Sequence, residues 1–197
     1  HFKGNQVSSF TEASYILHDR EKTEWQFGLN HYMEKFTEDN IDSNLARDYT
    51  HHTTGGFIQN TSNISERLVL EAGLRTDYNS DYGVFFLPRF SLLFKANDQL
   101  SSRLGGAMGY KLPTIFTEEA EKRYYRGIQP LSNDRVEEET SVGGNFDINY
   151  KTTLGDELTL SVNQMFFLTQ LRNPLVLRED DLTGLAFFES ADGNILS

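Results

Sequence analysis

The chain has 197 residues, 38% of them hydrophobic, with 29 acidic against 18 basic side chains and a net charge of -11. No run approaches the roughly 18 to 20 apolar residues of a membrane-spanning helix, which excludes a helical membrane protein, and the acidic balance argues against a nucleic-acid surface. The lack of cysteine excludes disulfide frameworks, iron–sulfur clusters and thiolate zinc sites.

In chain order the sequence reads in steps of two. Strands are predicted at 6–18, 23–36, 50–63, 67–78, 84–96, 99–112, 136–151 and 157–172, with a ninth beginning near Leu185. The first and second are joined by "HDREK" (18–22), the third and fourth by "NISER" (63–67), the fifth and sixth by "ANDQ" (96–99), and the seventh and eighth by "TLGDE" (153–157). These are short turns rich in Asp, Asn and Gly, residues that tolerate turn geometry. The intervening connections, 37–49, 79–83, 113–135 and 173–184, are longer except for 79–83. The one acidic amphipathic stretch, "TEEAEKRYY" at 117–125, falls inside the 113–135 loop. Alternating short turns and long loops fit an up-and-down membrane barrel, whose average hydropathy is low because only every second residue faces lipid.

Parity sorts the faces. Leu68, Leu70, Ala72, Leu74 and Tyr78 oppose Glu71, Arg75 and Asp77; Phe86, Pro88, Phe90, Leu92 and Phe94 oppose Arg89, Ser91 and Lys95. Leu100, Leu104, Met108 and Tyr110 oppose Arg103 and Lys111; Val142, Phe146, Ile148 and Tyr150 oppose Asn145, Asp147 and Asn149; and Leu158, Leu160, Val162, Phe166 and Leu168 continue the apolar set. A soluble antiparallel sandwich alternates in the same way. Two features favour a membrane: strands of a dozen or more residues against a mean of about five or six, and aromatic clusters near strand ends that read as interfacial girdles. The clusters are Trp25, Phe27, Tyr32 and Phe36, then Tyr78, Tyr82, Phe85 and Phe86, then Tyr110. Pro88 lacks a ladder donor and is placed near a rim, where that bond can be lost.

The long 113–135 loop mixes aromatic and Arg side chains, the residue types that dominate binding energy, so Arg123, Tyr124, Tyr125, Arg126 and Gln129 are its candidate ligand contacts. His51 and His52 fall on opposite faces of one strand, with His31 nearby, and are not read as a metal site. "DNIDSN" (39–44) lacks the central Gly and closing Glu of a calcium loop and is read as solvated or as a weak calcium contact with lipopolysaccharide, and "REDD" (178–181) as solvated. Asn60 and Asn63, each opening an Asn-x-Ser pattern, are read as turn residues. No catalytic signature emerges, so no enzyme activity and no cofactor are expected.

Taken in order, "TTGGFIQNTSNISERLVLEAGLRTDYNSDYGVFFLPRFSLLFKANDQLSSRLGGAMGYKLPTIFTEEA" (53–120) resembles the barrel of a TonB-dependent outer-membrane receptor. The resemblance lies in the Gly-Gly-Phe-x-Gln, Gly-Leu-Arg-x-Asp-Tyr, Pro-Arg and Gly-Tyr-Lys-x-Pro-Thr segments, and "VEEETSVGGNFDINY" with "LSVNQMFFLTQLRNPLVL" fits the next hairpin. It implies an all-β, antiparallel transmembrane barrel segment of about nine strands out of about 22, located in the bacterial outer membrane. It further implies import of a scarce nutrient such as an iron chelate, a vitamin or an oligosaccharide. Implied partners are outer-membrane lipid, the small nutrient, and the TonB energy-coupling protein, reached through an N-terminal region. No segment matches a plug or a TonB box, so residues 1–197 are expected to be one partial barrel domain. The alternatives are a complete small barrel, as an adhesin or membrane enzyme, and a soluble sugar-binding sandwich.

Overall fold

The computed structural model describes residues 2–19, 22–39, 46–132, 134–155, 158–181 and 183–196. Eight strands lie side by side in sequence order, each antiparallel to the next: β1 (Gly4–Asp19), β2 (Thr23–Glu38), β3 (Tyr49–Ser65), β4 (Leu68–Asn79), β5 (Gly83–Lys95), β6 (Leu100–Lys111), β7 (Glu139–Leu154) and β8 (Leu158–Arg172). They run from 12 residues in β4 to 17 in β3. At about 3.3 Å per residue that is roughly 40 to 55 Å, or about 28 to 40 Å along the membrane normal at a tilt of about 45°, which matches a hydrocarbon core of about 30 Å.

Register turns the alternating sequence into two chemically distinct faces. Ile58 lies opposite Leu74, Leu74 opposite Pro88, Leu92 opposite Leu104 and Leu104 opposite Phe146, giving a continuous apolar face. Leu74, Phe90, Phe94, Leu104, Phe146 and Val162 all remain exposed on it. The other face is polar and cross-linked: Arg75 Nε donates to Asp77 at 2.8 Å, and Arg89 Nη2 to Glu71 at 2.9 Å. The β4–β5 connection is tight because Asn79 Oδ1 accepts from the amides of Asp81 and Tyr82, at 2.9 and 3.1 Å, before Gly83 at φ +86°. Asn97 Oδ1 holds the β5–β6 turn in the same way, accepting from Gln99 and Leu100.

Several expectations change. The segment beginning near Leu185 is not the ninth wall strand: β10 (Ala186–Ser190) pairs with β9 (Leu175–Glu179) in a separate two-stranded sheet, and the wall gains instead β11 (Asn194–Leu196) beside β8. Residues 173–184 are therefore not all loop. The seventh strand starts at Glu139 rather than near 136, because Val136 is drawn into a loop core. Asn60 and Asn63 both lie within β3 instead of a turn.

The girdle assignment divides. Trp25, Phe27, Tyr78 and Phe86 are exposed on the apolar face, whereas Phe36 and Phe85 are buried on the polar side. Tyr110 also leaves its expected face, stacking on Phe85 with centroids 3.9 Å apart and donating to Asp77 Oδ2 at 3.0 Å. The cause lies next door. Pairing of β5 with β6 ends at Arg89–Ala107, one residue short of Pro88, so the last residues of β6 are held only by β7, as far as Lys111–Glu139, and their β5-side edge is free of ladder bonds. Residues 40–44 of the acidic loop, and Arg20, Glu21, Asp156 and Glu157 of predicted turns, lie outside the described residues.

Candidate functional site

At the long-loop end two connections far apart in sequence fold together. Ile128 forms a parallel bridge with Ala186; the Gln129 amide donates to Ala186 O at 2.8 Å, and the Ala186 amide to Gly127 O at 2.7 Å. The Ser190 amide donates to Arg135 O at 3.0 Å, and Arg123 pairs with Glu179 at 2.9 Å. Beneath these links Ile115, Ala120, Ile128, Val136, Ala186 and Phe188 make a dry cluster that Phe36 of β2 completes. One turn of helix contributes to it: Thr117 caps α1 (Glu118–Lys122) by accepting from the Ala120 amide, and Ala120 is buried in the cluster. The result is a cap seated on the polar face.

A buried ion pair fastens the cap to β2. Arg47 forks onto the Glu38 carboxylate, with its Nε donating at 2.8 Å, and its Nη1 donates to the carbonyl of Tyr125 at 2.8 Å. The side chains are 4% and 0% exposed. The Arg47 guanidinium also sits 5.2 Å from the Phe2 ring centroid, and Phe2 stacks on Tyr125 at 4.2 Å.

Below the cap the polar face lines a chamber of about 520 Å³, within the size range of small-molecule sites. Tyr32, Glu34, Tyr49, His51, Arg75, Tyr110 and Lys111 are among its walls. Glu34 gathers the hydroxyls of Tyr32 and Tyr49 and the amide of Gln6, so both phenol rings are held in fixed orientation. Tyr49 stacks on His51, whose Nδ1 donates to Asp81 at 2.7 Å. That hydrogen bond holds the Asp81 carboxyl below the usual carboxylate range, against the opposing effect of burial. Ser80 donates to Asp81 and not to His51, so the trio lacks the hydroxyl-to-imidazole link of a nucleophilic triad. The chamber thus offers oriented aromatic surface, a carboxylate, and the cations of Arg75 and Lys111. This chemistry suits noncovalent capture of a ligand with both apolar and charged parts. Among the described residues no cluster of His, Asp and Glu has the arrangement of a metal site.

The five residues singled out in the 113–135 loop belong to the cap, and none lines the chamber. Arg123 is engaged by Glu179, Tyr125 by Phe2 and the Arg47 contact, and Gln129 is tied by its backbone to Ala186. Tyr124, 76% exposed, and Arg126, also exposed, are free to meet solvent. Tyr124 and Tyr125 are both held at positive φ, 54° and 57°, which costs a non-glycine residue about 1 to 2 kcal/mol. The chamber residues escaped loop-by-loop reading because they come from strand ends. The available signal was the inward parity of Glu34, His51 and Arg75.

With that geometry in place, comparison with known proteins gives a consistent result. The family model described as TonB dependent receptor-like, beta-barrel, matches residues 3–187. Among solved structures, the siderophore receptor PirA of Pseudomonas aeruginosa superposes with a TM-score of 0.73 at 16% identity, over 99% of this chain and 36% of that one. The FrpB iron transporter of Neisseria meningitidis (F3-3 variant) gives 0.75 at 14% identity, over 98% and 32%. A mutant of the ferric enterobactin receptor PfeA of Pseudomonas aeruginosa gives 0.70 at 15% identity, over 98% and 32%. At these identities the likeness speaks for the fold, and the chain spans about a third of the length of these proteins. No curated protein matches.

Proposed function

The chain belongs to the TonB-dependent receptor-like β-barrel family, and from that premise we propose that it forms part of the barrel wall of a bacterial outer-membrane receptor that takes up a scarce nutrient at the expense of TonB-coupled energy. The observation that carries this reading is the family match over residues 3–187. The apolar face meets lipid, the polar face meets the lumen, and the cap lies at the extracellular mouth. Remaining strands, a lumenal plug and the TonB-contacting segment belong to the rest of the receptor. The nutrient is an iron chelate, a reading supported by the likeness to a siderophore receptor (PirA), a ferric enterobactin receptor (PfeA) and an iron transporter (FrpB). Tyr124 and Arg126 receive it on the cap, and the chamber walled by Tyr32, Tyr49, Arg75 and Lys111 takes it next.

Radiolabelled ferric chelates offered to the encoding bacterium test this. Uptake of at least one chelate under iron limitation is expected to vanish when either the receptor gene or the gene for TonB is deleted. Full uptake of all chelates in both deletions overturns the import reading. Replacing Tyr124 by Gly, a residue that accepts its positive φ, and Arg126 by Ala tests the cap: chelate binding to the intact receptor should fall about tenfold, as for aromatic and Arg contacts worth over 1 kcal/mol. Unchanged binding removes the cap from the site.

A further inference from the structure

The apolar face has a distribution of charge opposite to that of the chain. Although acidic residues outnumber basic ones 29 to 18, register puts only one carboxylate on this face of β1–β8 among the described residues, and that is Asp19 at the short-turn end. Its Lys, Arg and His side chains are four: Lys35, His31, His52 and Arg172. All four sit toward the opposite, long-loop end. Lys35 lies across from Val7 and Thr50, and His31 across from Thr54, level with the exposed ring of Tyr78. Arg172 closes β8, paired with Thr140. None of the four makes an ion pair with another described residue.

The imidazoles are also ordered. His31 and His52 stack with centroids 5.6 Å apart, and Nδ1 of His31 shares a hydrogen bond of 2.9 Å with Thr54 Oγ1, which leaves its other ring nitrogen for an external partner. Cations on a lipid-facing surface are costly unless their heads reach the headgroup layer and find an anion there. Here Lys35 and Arg172 stand at one edge of the apolar band, the first beside the two imidazoles and an exposed tyrosine, and neither forms an ion pair with a described carboxylate.

We propose that the long-loop rim of the apolar face binds the phosphate groups of lipid headgroups, at one contact formed by Lys35, His31 and His52 and a second at Arg172. The two lie six strands apart, roughly 29 Å at about 4.8 Å per strand, and hold separate lipids. The occupant is a membrane lipid because each contact continues the apolar face that receives the acyl chains. This inference rests on the outer-membrane barrel reading above.

The test uses the intact receptor containing this segment, reconstituted in phosphatidylcholine vesicles, with a fluorophore on a cysteine introduced by Met33→Cys between His31 and Lys35. The vesicles carry a few per cent of phosphatidic acid or of phosphatidylcholine bearing a nitroxide near the top of one acyl chain. Phosphatidic acid is expected to quench as if enriched about fivefold over phosphatidylcholine, the preference one basic residue confers near an anionic surface. Lys35→Ala should abolish the preference and Lys35→Arg should keep it, while Lys95→Ala on the polar face should leave it intact. A fluorophore at Gln170→Cys should respond likewise to Arg172→Ala. Equal quenching by both lipids in the unmodified rim, or a preference that survives Lys35→Ala, overturns the inference while leaving the barrel reading in place. Absence of quenching by either lipid overturns the barrel reading itself.

Discussion

Removing Arg47 should loosen the cap without dismantling the wall. Arg47 and Glu38 are almost completely shielded from solvent, and the carbonyl of Tyr125 depends on the same guanidinium. Losing one partner of a buried ion pair costs about 3 to 5 kcal/mol because the other charge stays buried alone, whereas replacing both by apolar groups of similar volume is close to neutral. Arg47→Met therefore leaves the Glu38 carboxylate stranded, and Glu38→Leu strands the guanidinium. The double variant strands neither. Glu38 closes β2 opposite Gly4 at the end of its ladder and Arg47 lies outside the strands, so most of the cost falls on opening of the cap. Hydrogen exchange of the intact receptor reads it through amides that join the two loops, those of Gln129, Ala186 and Ser190. Their exchange should accelerate by about a hundredfold to several thousandfold in either single variant, the factor corresponding to 3 to 5 kcal/mol. In the double variant it should return to within about tenfold of the unmodified protein. Exchange unchanged in the single variants, or a double variant as fast as the singles, would refute the reasoning that this pair latches the cap.

Spin labels at Leu70, Leu74, Phe90, Phe94, Leu104, Phe146 and Val162 in the intact receptor should be accessible to lipid-soluble quenchers, and equal accessibility at Arg75 and Arg103 would sink the face assignment. Gly55→Ala places a methyl group 2.1 Å from Asp77 Oδ1 and 2.8 Å from Asn30 Oδ1, so it must displace the Arg75–Asp77 pair. We expect a loss of about 1 to 3 kcal/mol, seen as a lower denaturant midpoint, while Gly144→Ala, where the nearest atom is 3.5 Å away, should stay within about 1 kcal/mol. Asp81 is depressed chiefly by its hydrogen bond from His51, so the contribution to stability is present above the ordinary aspartate value of about 3.9 and is lost as pH falls through the lower folded value. His51→Ala should move protonation of Asp81 back up, as read from the carboxylate infrared band that Asp81→Asn removes; an unmoved band would refute the pairing.

Much of the wall was legible in the sequence because its determinants are local. Leu74 and Arg75 alternate along one strand, a short turn such as "ANDQ" forces the next strand to return beside it, and register then follows from keeping Leu92, Leu104 and Phe146 on one face. Period two states which side chains share a face, and that is enough to order eight strands. It does not state what covers the polar face.

Tertiary structure decided the site. Ile128 meets Ala186, Phe36 meets Phe116, and Arg47 meets the Tyr125 carbonyl across separations that leave no periodic trace in the chain. The same holds for Tyr110. Its even number assigns it to the apolar face, and it goes the other way because β5–β6 pairing stops short of Pro88 and because Phe85 and Asp77 offer a stacking surface and an acceptor. Likewise 186–190 has the composition of a wall strand, yet it pairs with 175–179, because the cap supplies a neighbour that buries Ala186 and Phe188. Alternation along the chain was sufficient for β1 to β8 of the wall, where each strand's partner is its neighbour in sequence, but not for β11, which joins β8 past the β9–β10 sheet. The cap and the chamber required the folded molecule, since their contacts join loops and strand ends that only the completed sheet brings together.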